Sequence, residues 1–174
     1  MNNKFVLIIN GPIDSGSRRI VELLLEKLKR VFLVSANKIK FLISDYSPEK
    51  DRKIIHESLI FLAEKMLDND ISLIIEGGSV EQEGLNKKIK TLAANKNVKI
   101  ITVNIEAPVE VLRERFLKRL EKSSVTGQKA SVFDEEGFMR RVNAYFDLKN
   151  ENDVTFDSSS EAPESIAKKI MSLI

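Results

Sequence analysis

The chain is expected to fold as an α/β domain of three layers, α/β/α, around a five-stranded parallel sheet. Three observations carry this expectation. Short apolar runs alternate with longer stretches of helical periodicity. The first run, Phe5-Val6-Leu7-Ile8-Ile9, is apolar at every position, as a strand covered on both faces requires. Helix-length segments separate the runs, which is the connection that parallel neighbours need. At 174 residues the chain buries roughly 70% of its extended surface, enough for a full core. A single domain over residues 1–174 is expected.

The elements follow in order. Phe5 to Ile9 is the first strand, and Gly11 to Gly16 form a turn. Ile20, Leu23, Leu24 and Leu28 then recur at helical spacing. Val31 to Val34 is a second strand, and residues 36–44 form a short helix. Tyr46-Ser47-Pro48 breaks the chain. Asp51 to Leu67 is a helix with Ile55, Leu59, Leu62, Ala63 and Met66 on one face. Ile71 to Ile75 is a third strand, closed by Glu76-Gly77-Gly78. Residues 81–94 are helical, and Val98 to Ile105 is a fourth strand. Pro108 sits at the start of a helix that runs to about Lys122. Residues 123–133 read as a mobile loop and about 134–148 as a helix. Val154 to Phe156 is a fifth strand, and Ser165 to Leu173 is a closing helix.

Composition excludes several classes. There is no cysteine, so disulfides, thiol catalysis and cysteine-ligated metals are ruled out. A single histidine, His56, rules out a multi-histidine metal site. Twenty-eight Lys+Arg against 26 Asp+Glu leave a formal charge of +2, which gives no strong nucleic-acid signal. Neither a signal peptide nor an apolar stretch near 18 residues is visible, so a cytoplasmic protein with no membrane partner is expected.

The segment most informative about function follows the first strand. A strand, a glycine-rich turn and a helix form the place where open parallel sheets hold ligands. Here the turn reads Gly11-Pro12-Ile13-Asp14-Ser15-Gly16-Ser17-Arg18. Against the phosphate-loop pattern G-x-x-x-x-G-K-[ST], both glycines are in place. Ser17 stands where the lysine belongs, and Arg18 stands where the magnesium-binding hydroxyl belongs.

With these residues the chain resembles the small P-loop kinases, the nucleoside, antibiotic and polynucleotide kinases related to zeta toxins. Asn10-Gly11-Pro12 is typical of them. Val34-Ser35-Ala36-Asn37-Lys38-Ile39-Lys40 resembles the segment that carries their catalytic aspartate. Leu73-Ile74-Ile75-Glu76-Gly77-Gly78 resembles their third strand and its acidic end. Ile105 to Arg115 is similar to the entry into their arginine-bearing lid, and Asp153 to Phe156 with Asp157-Ser158 to their last strand. The resemblance covers nearly the whole chain. It implies a P-loop NTPase fold with strand order 2-3-1-4-5 and a lid over about 113–141. It also implies ATP and Mg2+ as cofactors, and phosphoryl transfer to a small hydroxyl acceptor. The ligand is then a small or phosphate-bearing molecule, with acceptor pockets expected at roughly 38–60 and 122–140.

The departures from this pattern gather at the chemistry. A phosphate loop works through backbone N–H groups plus a lysine that neutralises the terminal phosphates. Ser17 supplies no charge, and Arg18 needs another path to the phosphates. Asp14 stands where the family carries a small residue. A carboxylate about 4 Å from a phosphate costs on the order of 4 kcal/mol per charge pair at an effective dielectric near 20. Asn37 stands at the position of the catalytic aspartate, and an amide cannot take the acceptor's proton. Random drift would scatter such changes. Two accounts fit them: a lineage that lost its phosphotransfer, or a kinase scaffold altered by design.

Single residues admit more than one role. Ser17, at a helix N-terminus among loop amides, sits where an oxyanion would be stabilised. With His56 as base, and Asp14, Asp45 or Glu76 to orient it, a serine-hydrolase site is the alternative. His56 is more simply a helix-surface or boundary residue beside the apolar stripe of its helix. Arg115, Lys118, Arg119 and Lys122 share one helix face, either a solvated surface or the lid's phosphoryl-binding arginines. Arg140 and Arg141 are placed to contribute from beyond the loop. Glu76 is a candidate to hold magnesium through water, or a plain polar strand end. A non-catalytic binding module that kept the fold is a third reading.

Overall fold

Five strands pair in parallel in the order β2-β3-β1-β4-β5: β1 (Phe5–Asn10), β2 (Val31–Val34), β3 (Ser72–Glu76), β4 (Lys99–Glu106) and β5 (Val154–Asp157). The structure is a computed structural model that describes residues 4–76, 83–126 and 134–174. The helices are α1 (Ser17–Lys27), α2 (Ala36–Lys40), α3 (Pro48–Asp68), α4 (Glu83–Asn95), α5 (Val109–Thr126), α6 (Glu135–Leu148) and α7 (Pro163–Met171). Strand number, direction and order agree with the expectation. Among the described residues no helix is long and apolar enough to cross a membrane.

β1 lies at the centre, and its alternation explains its unbroken apolar run. Phe5, Leu7 and Ile9 pack under α1 and α7, with Ile20, Leu24, Ile166 and Ile170. Val6 and Ile8 pack on the other face under α3 and α4, with Leu59, Leu67, Leu85 and Ile89. Neither face sees water, so no position tolerates a polar residue until Asn10 at the strand's end.

A third cluster joins α5 to α6 through Ala107, Leu112, Phe116, Phe138 and Val142, with Ile13 of the turn after β1 packed against it. Phe116 and Phe138 stack with ring centroids 4.7 Å apart. Asp134 caps α6, its Oδ1 accepting from the Gly137 N–H (2.6 Å), and Arg113 Nε donates to Glu135 Oε1 (2.6 Å).

Three boundaries differ from the sequence expectation by three residues or more. α3 begins at Pro48, three residues early. Proline is pre-set for the first helical position, and Asp51 Oδ2 accepts from the Ser47 N–H (2.8 Å). α2 ends at Lys40, and the 41–45 stretch turns instead, with Asp45 at φ 58°. α5 runs to Thr126, so 123–126 are helical rather than loop, because each added residue of a nucleated helix gains a hydrogen bond. The rest of the expected mobile loop, and Gly77-Gly78, lie outside the described residues.

Candidate functional site

The turn between β1 and α1 sits at the carboxyl end of the sheet. Gly11 is buried beneath it. A Cβ there would lie 2.5 Å from both the Ile105 carbonyl oxygen and Ser15 Oγ, so only glycine lets the chain pass. The Ser15 N–H donates to the Pro12 carbonyl (3.1 Å), closing a turn. Gly16, at φ 86°, then opens α1, its carbonyl accepting from the Arg19 and Ile20 N–H groups. The first turn of α1 has no side-chain cap and no acidic residue, which leaves its N-terminal positive potential unopposed by its own residues.

Asp14 is the acidic residue of this turn. It is held at φ 62°, and its carboxylate is gripped from α5: Arg119 Nε donates to Oδ1 (2.8 Å) and Nη2 to Oδ2 (3.0 Å). The Arg119 guanidinium lies 5.3 Å from the centroid of Phe116, which fixes its plane. One turn earlier, Arg115 clamps the same loop. Its Nη1 donates to the Asp14 and Ser15 carbonyls (3.3 and 3.4 Å) and to Ser158 Oγ (3.0 Å), and its Nη2 to the Ser158 carbonyl (2.7 Å). Ser158 is fixed in turn, its Oγ and N–H both donating to the Glu106 carbonyl (2.9 and 2.8 Å). β1, β4, β5 and α5 are thereby tied at one point. Ser15 Oγ is buried there with no partner among the described residues.

Glu76, at the end of β3, accepts from Ser35 Oγ (2.7 Å) and pairs with Arg18 Nε at 3.7 Å. Arg18 therefore faces the acid read as a magnesium holder. Asn37 lies exposed on α2, its Oδ1 accepting from Lys40 Nζ (2.9 Å). Ser17 opens α1 on one face of the sheet, whereas His56 lies on α3, which packs on the other face. Asp45, offered with Asp14 and Glu76 to orient His56, lies in the turn after α2. Arg141 is half-buried on α6 and makes no ion pair with a described residue. The structure thus brings together Gly11, Asp14, Ser15, Gly16, Arg115 and Arg119, and separately Arg18 and Glu76.

The sequence reading missed Ser158 as the anchor of Arg115, although the only signal for it was a serine just past a strand end at the ligand edge. It also missed a polar triad beside the site. Tyr145 OH donates to Glu106 Oε1 (2.7 Å), and Lys149 Nζ lies 3.4 Å from the same oxygen. Burial, then the hydrogen bond to Glu106, holds the Tyr145 hydroxyl protonated well above the ordinary phenol range. Burial pulls Lys149 down, but Glu151 and Glu106 outweigh it, so its ammonium is held above the usual lysine range.

The residues present do not suit Mg2+ as a P-loop would hold it. Arg18 stands where the sequence pattern leads one to expect a hydroxyl ligand, and it places a cation beside Glu76. The loop amides suit an anion, but Asp14 stands in the same loop. A cavity of about 350 Å³, lined by Lys40, Phe41, Ile43, Asp45 and Tyr46, falls within the first stretch expected to carry an acceptor pocket.

In fold the chain is similar to solved structures that include an APS kinase and a tunicamycin resistance protein. Solved structures agree in fold across almost the full chain. A Chloroflexus aurantiacus protein is 18% identical with a TM-score of 0.73, covering 99% of this chain and 100% of its own. The Mycobacterium tuberculosis APS kinase, solved with AMPPNP and APS, is 14% identical with a TM-score of 0.66, covering 98% and 97%. The Deinococcus radiodurans tunicamycin resistance protein is 15% identical with a TM-score of 0.61, covering 98% and 95%. No protein-family model and no curated protein matches the chain by sequence.

Proposed function

We propose that this chain is a P-loop kinase-lineage protein that takes a phosphate-bearing small ligand at Gly11–Arg18, with phosphoryl transfer severely impaired. The observation that carries the reading is the two-pronged grip of Arg119 on Asp14. In a working phosphate loop, cations from the loop and the lid converge on the phosphates. In this chain the loop lysine is replaced by Ser17. Arg119 neutralises the loop's own carboxylate, Arg18 faces Glu76, and Asn37 offers no base. α5 and α6 act as the counterpart of the kinase lid, and Arg140 and Arg141 of α6 are not drawn into these pairs. Support for the ligand class comes from the uncapped N-terminus of α1 and from the APS kinase of the same fold, which was solved with a nucleotide analogue.

The test is titration calorimetry with ATP, with and without Mg2+, alongside a phosphotransfer assay on small hydroxyl compounds. The unaltered protein is expected to bind weakly and transfer nothing measurable. Changing Asp14→Gly, Ser17→Lys and Arg18→Ser together should restore nucleotide affinity. Efficient magnesium-dependent phosphorylation by the unaltered protein would refute the impairment, and no gain from the triple change would refute the phosphate-ligand reading. The serine-hydrolase reading draws no support from helices α1 and α3 on opposite sheet faces. Labelling of Ser17 by a fluorophosphonate, abolished by His56→Ala, would reinstate it.

A further inference from the structure

We propose that the Asp14–Arg119 pair is an autoinhibitory latch, in which the loop's carboxylate occupies Arg119 in place of an anionic ligand. The inference rests on the reading that this loop takes a phosphate-bearing ligand. It adds what holds that ligand off.

The two arginines of α5 differ in what they hold. Arg115 is satisfied by neutral oxygens, namely the carbonyls of Asp14, Ser15 and Ser158 and the hydroxyl of Ser158. Its role is to fasten α5 to the loop. Arg119, one turn on, spends its fork on a carboxylate, the group whose two oxygens most nearly reproduce the edge of a phosphate. The Asp14 side chain is only 13% exposed, so the pair is shielded and weakly screened. Both members belong to the ligand edge of the sheet, Asp14 three residues before the uncapped start of α1 and Arg119 stacked on the Phe116–Phe138 core.

An incoming phosphate group must therefore compete with Asp14 for Arg119 while lying near the Asp14 charge. A ligand with two or more negative charges has the advantage, because it engages the α1 amides and Arg119 at once. Releasing the carboxylate frees Arg119 for the ligand while Arg115 keeps α5 in place.

The experiment is calorimetric titration with ATP and with inorganic tripolyphosphate. It compares the unaltered protein with Asp14→Asn, Asp14→Gly, the double change Asp14→Asn with Arg119→Gln, and the pair Ser17→Lys with Arg18→Ser. Asparagine and glycine both accept the positive φ at this position, so the fold is expected to survive, and thermal melting checks it. Each single change at Asp14 should tighten both ligands by about tenfold or more, equivalent to about 1.4 kcal/mol. The double change should lose that gain. A gain that persists in the double variant means Asp14 acts only as a local repulsive charge, and the latch is wrong. No gain from either Asp14 change, with a gain from Ser17→Lys plus Arg18→Ser, sinks the latch and leaves the ligand reading standing. No gain from any of these variants removes both.

Discussion

Arg119 and Asp14 are 105 residues apart in sequence and are joined by two hydrogen bonds of 2.8 and 3.0 Å. The pair couples the first turn of the fold to the fifth helix. Because it is charge-assisted, two-pronged and mostly shielded, it should exceed an ordinary surface ion pair. A double-mutant cycle with Asp14→Asn and Arg119→Gln, followed by urea unfolding, should give a coupling of about 1–2 kcal/mol that added salt barely reduces. Additive single changes would show that the pair contributes nothing.

Gly11 and Gly16 are constrained for different reasons, and alanine separates them. At Gly11 a Cβ would meet the Ile105 carbonyl and Ser15 Oγ, so Gly11→Ala should cost about 1–3 kcal/mol through overpacking against backbone. At Gly16 there is open space, and the cost is the left-handed backbone alone, about 1–2 kcal/mol. The two differ in ligand response too: the Gly11 change displaces the loop, whereas the Gly16 change leaves its position intact. A Gly11→Ala protein that melts and binds like the unaltered one would contradict the close approach to β4.

Phe138 stacks on Phe116, and Phe116 in turn backs Arg119. Phe138→Ala should destabilise the protein by about 3–5 kcal/mol, the range for emptying a fully buried aromatic site. Hydrogen exchange should speed up first in α5 and α6, which share this cluster and little else of the core. Equal acceleration in α3 and α4 would argue against a separate α5–α6 cooperative unit.

Tyr145 makes stability depend on alkaline pH. Its folded-state pKa is raised, first by burial and then by its hydrogen bond to Glu106, so the folded chain binds that proton more tightly than the unfolded chain. The contribution is complete below about pH 10, the unfolded phenol's pKa, and is lost as pH rises beyond it. In an absorbance titration at alkaline pH, Tyr145 should ionise only as the protein unfolds, and Tyr145→Phe should flatten the alkaline fall in stability. Reversible ionisation of Tyr145 near pH 10 in the folded protein would count against the buried Tyr145–Glu106 bond.

Much of the fold was legible in the residues because burial on two faces leaves a simple trace. Phe5 to Ile9 is an unbroken apolar run of strand length that folds as the buried β1, and the longer runs between strands carry helical spacing. The resemblance supplied the strand order, which the pairing of β1 with both β3 and β4 bears out. Boundaries slipped where local signals pointed two ways. Pro48 reads both as a breaker and as a first helical residue, and Ser123 to Thr126 read as a loop although the helix carries through them.

By itself the sequence determined the layers, the turn at Gly11–Gly16 and which side chains stand at Asp14, Ser17, Arg18 and Asn37, because each is a local matter of periodicity, backbone freedom or side-chain chemistry. Only the tertiary structure decided where the charges go. Asp14 alone reads as a repulsive carboxylate, and Arg119 alone as a lid cation. Parallel crossovers bring the start of α1 and the middle of α5 to one edge of the sheet, where the two neutralise each other. Ser17 lies on α1 and His56 on α3, helices that pack on opposite faces, a placement that no period in the chain reveals. Charge pairing depends on distance through space, which falls steeply over a few ångströms and leaves no period in the chain.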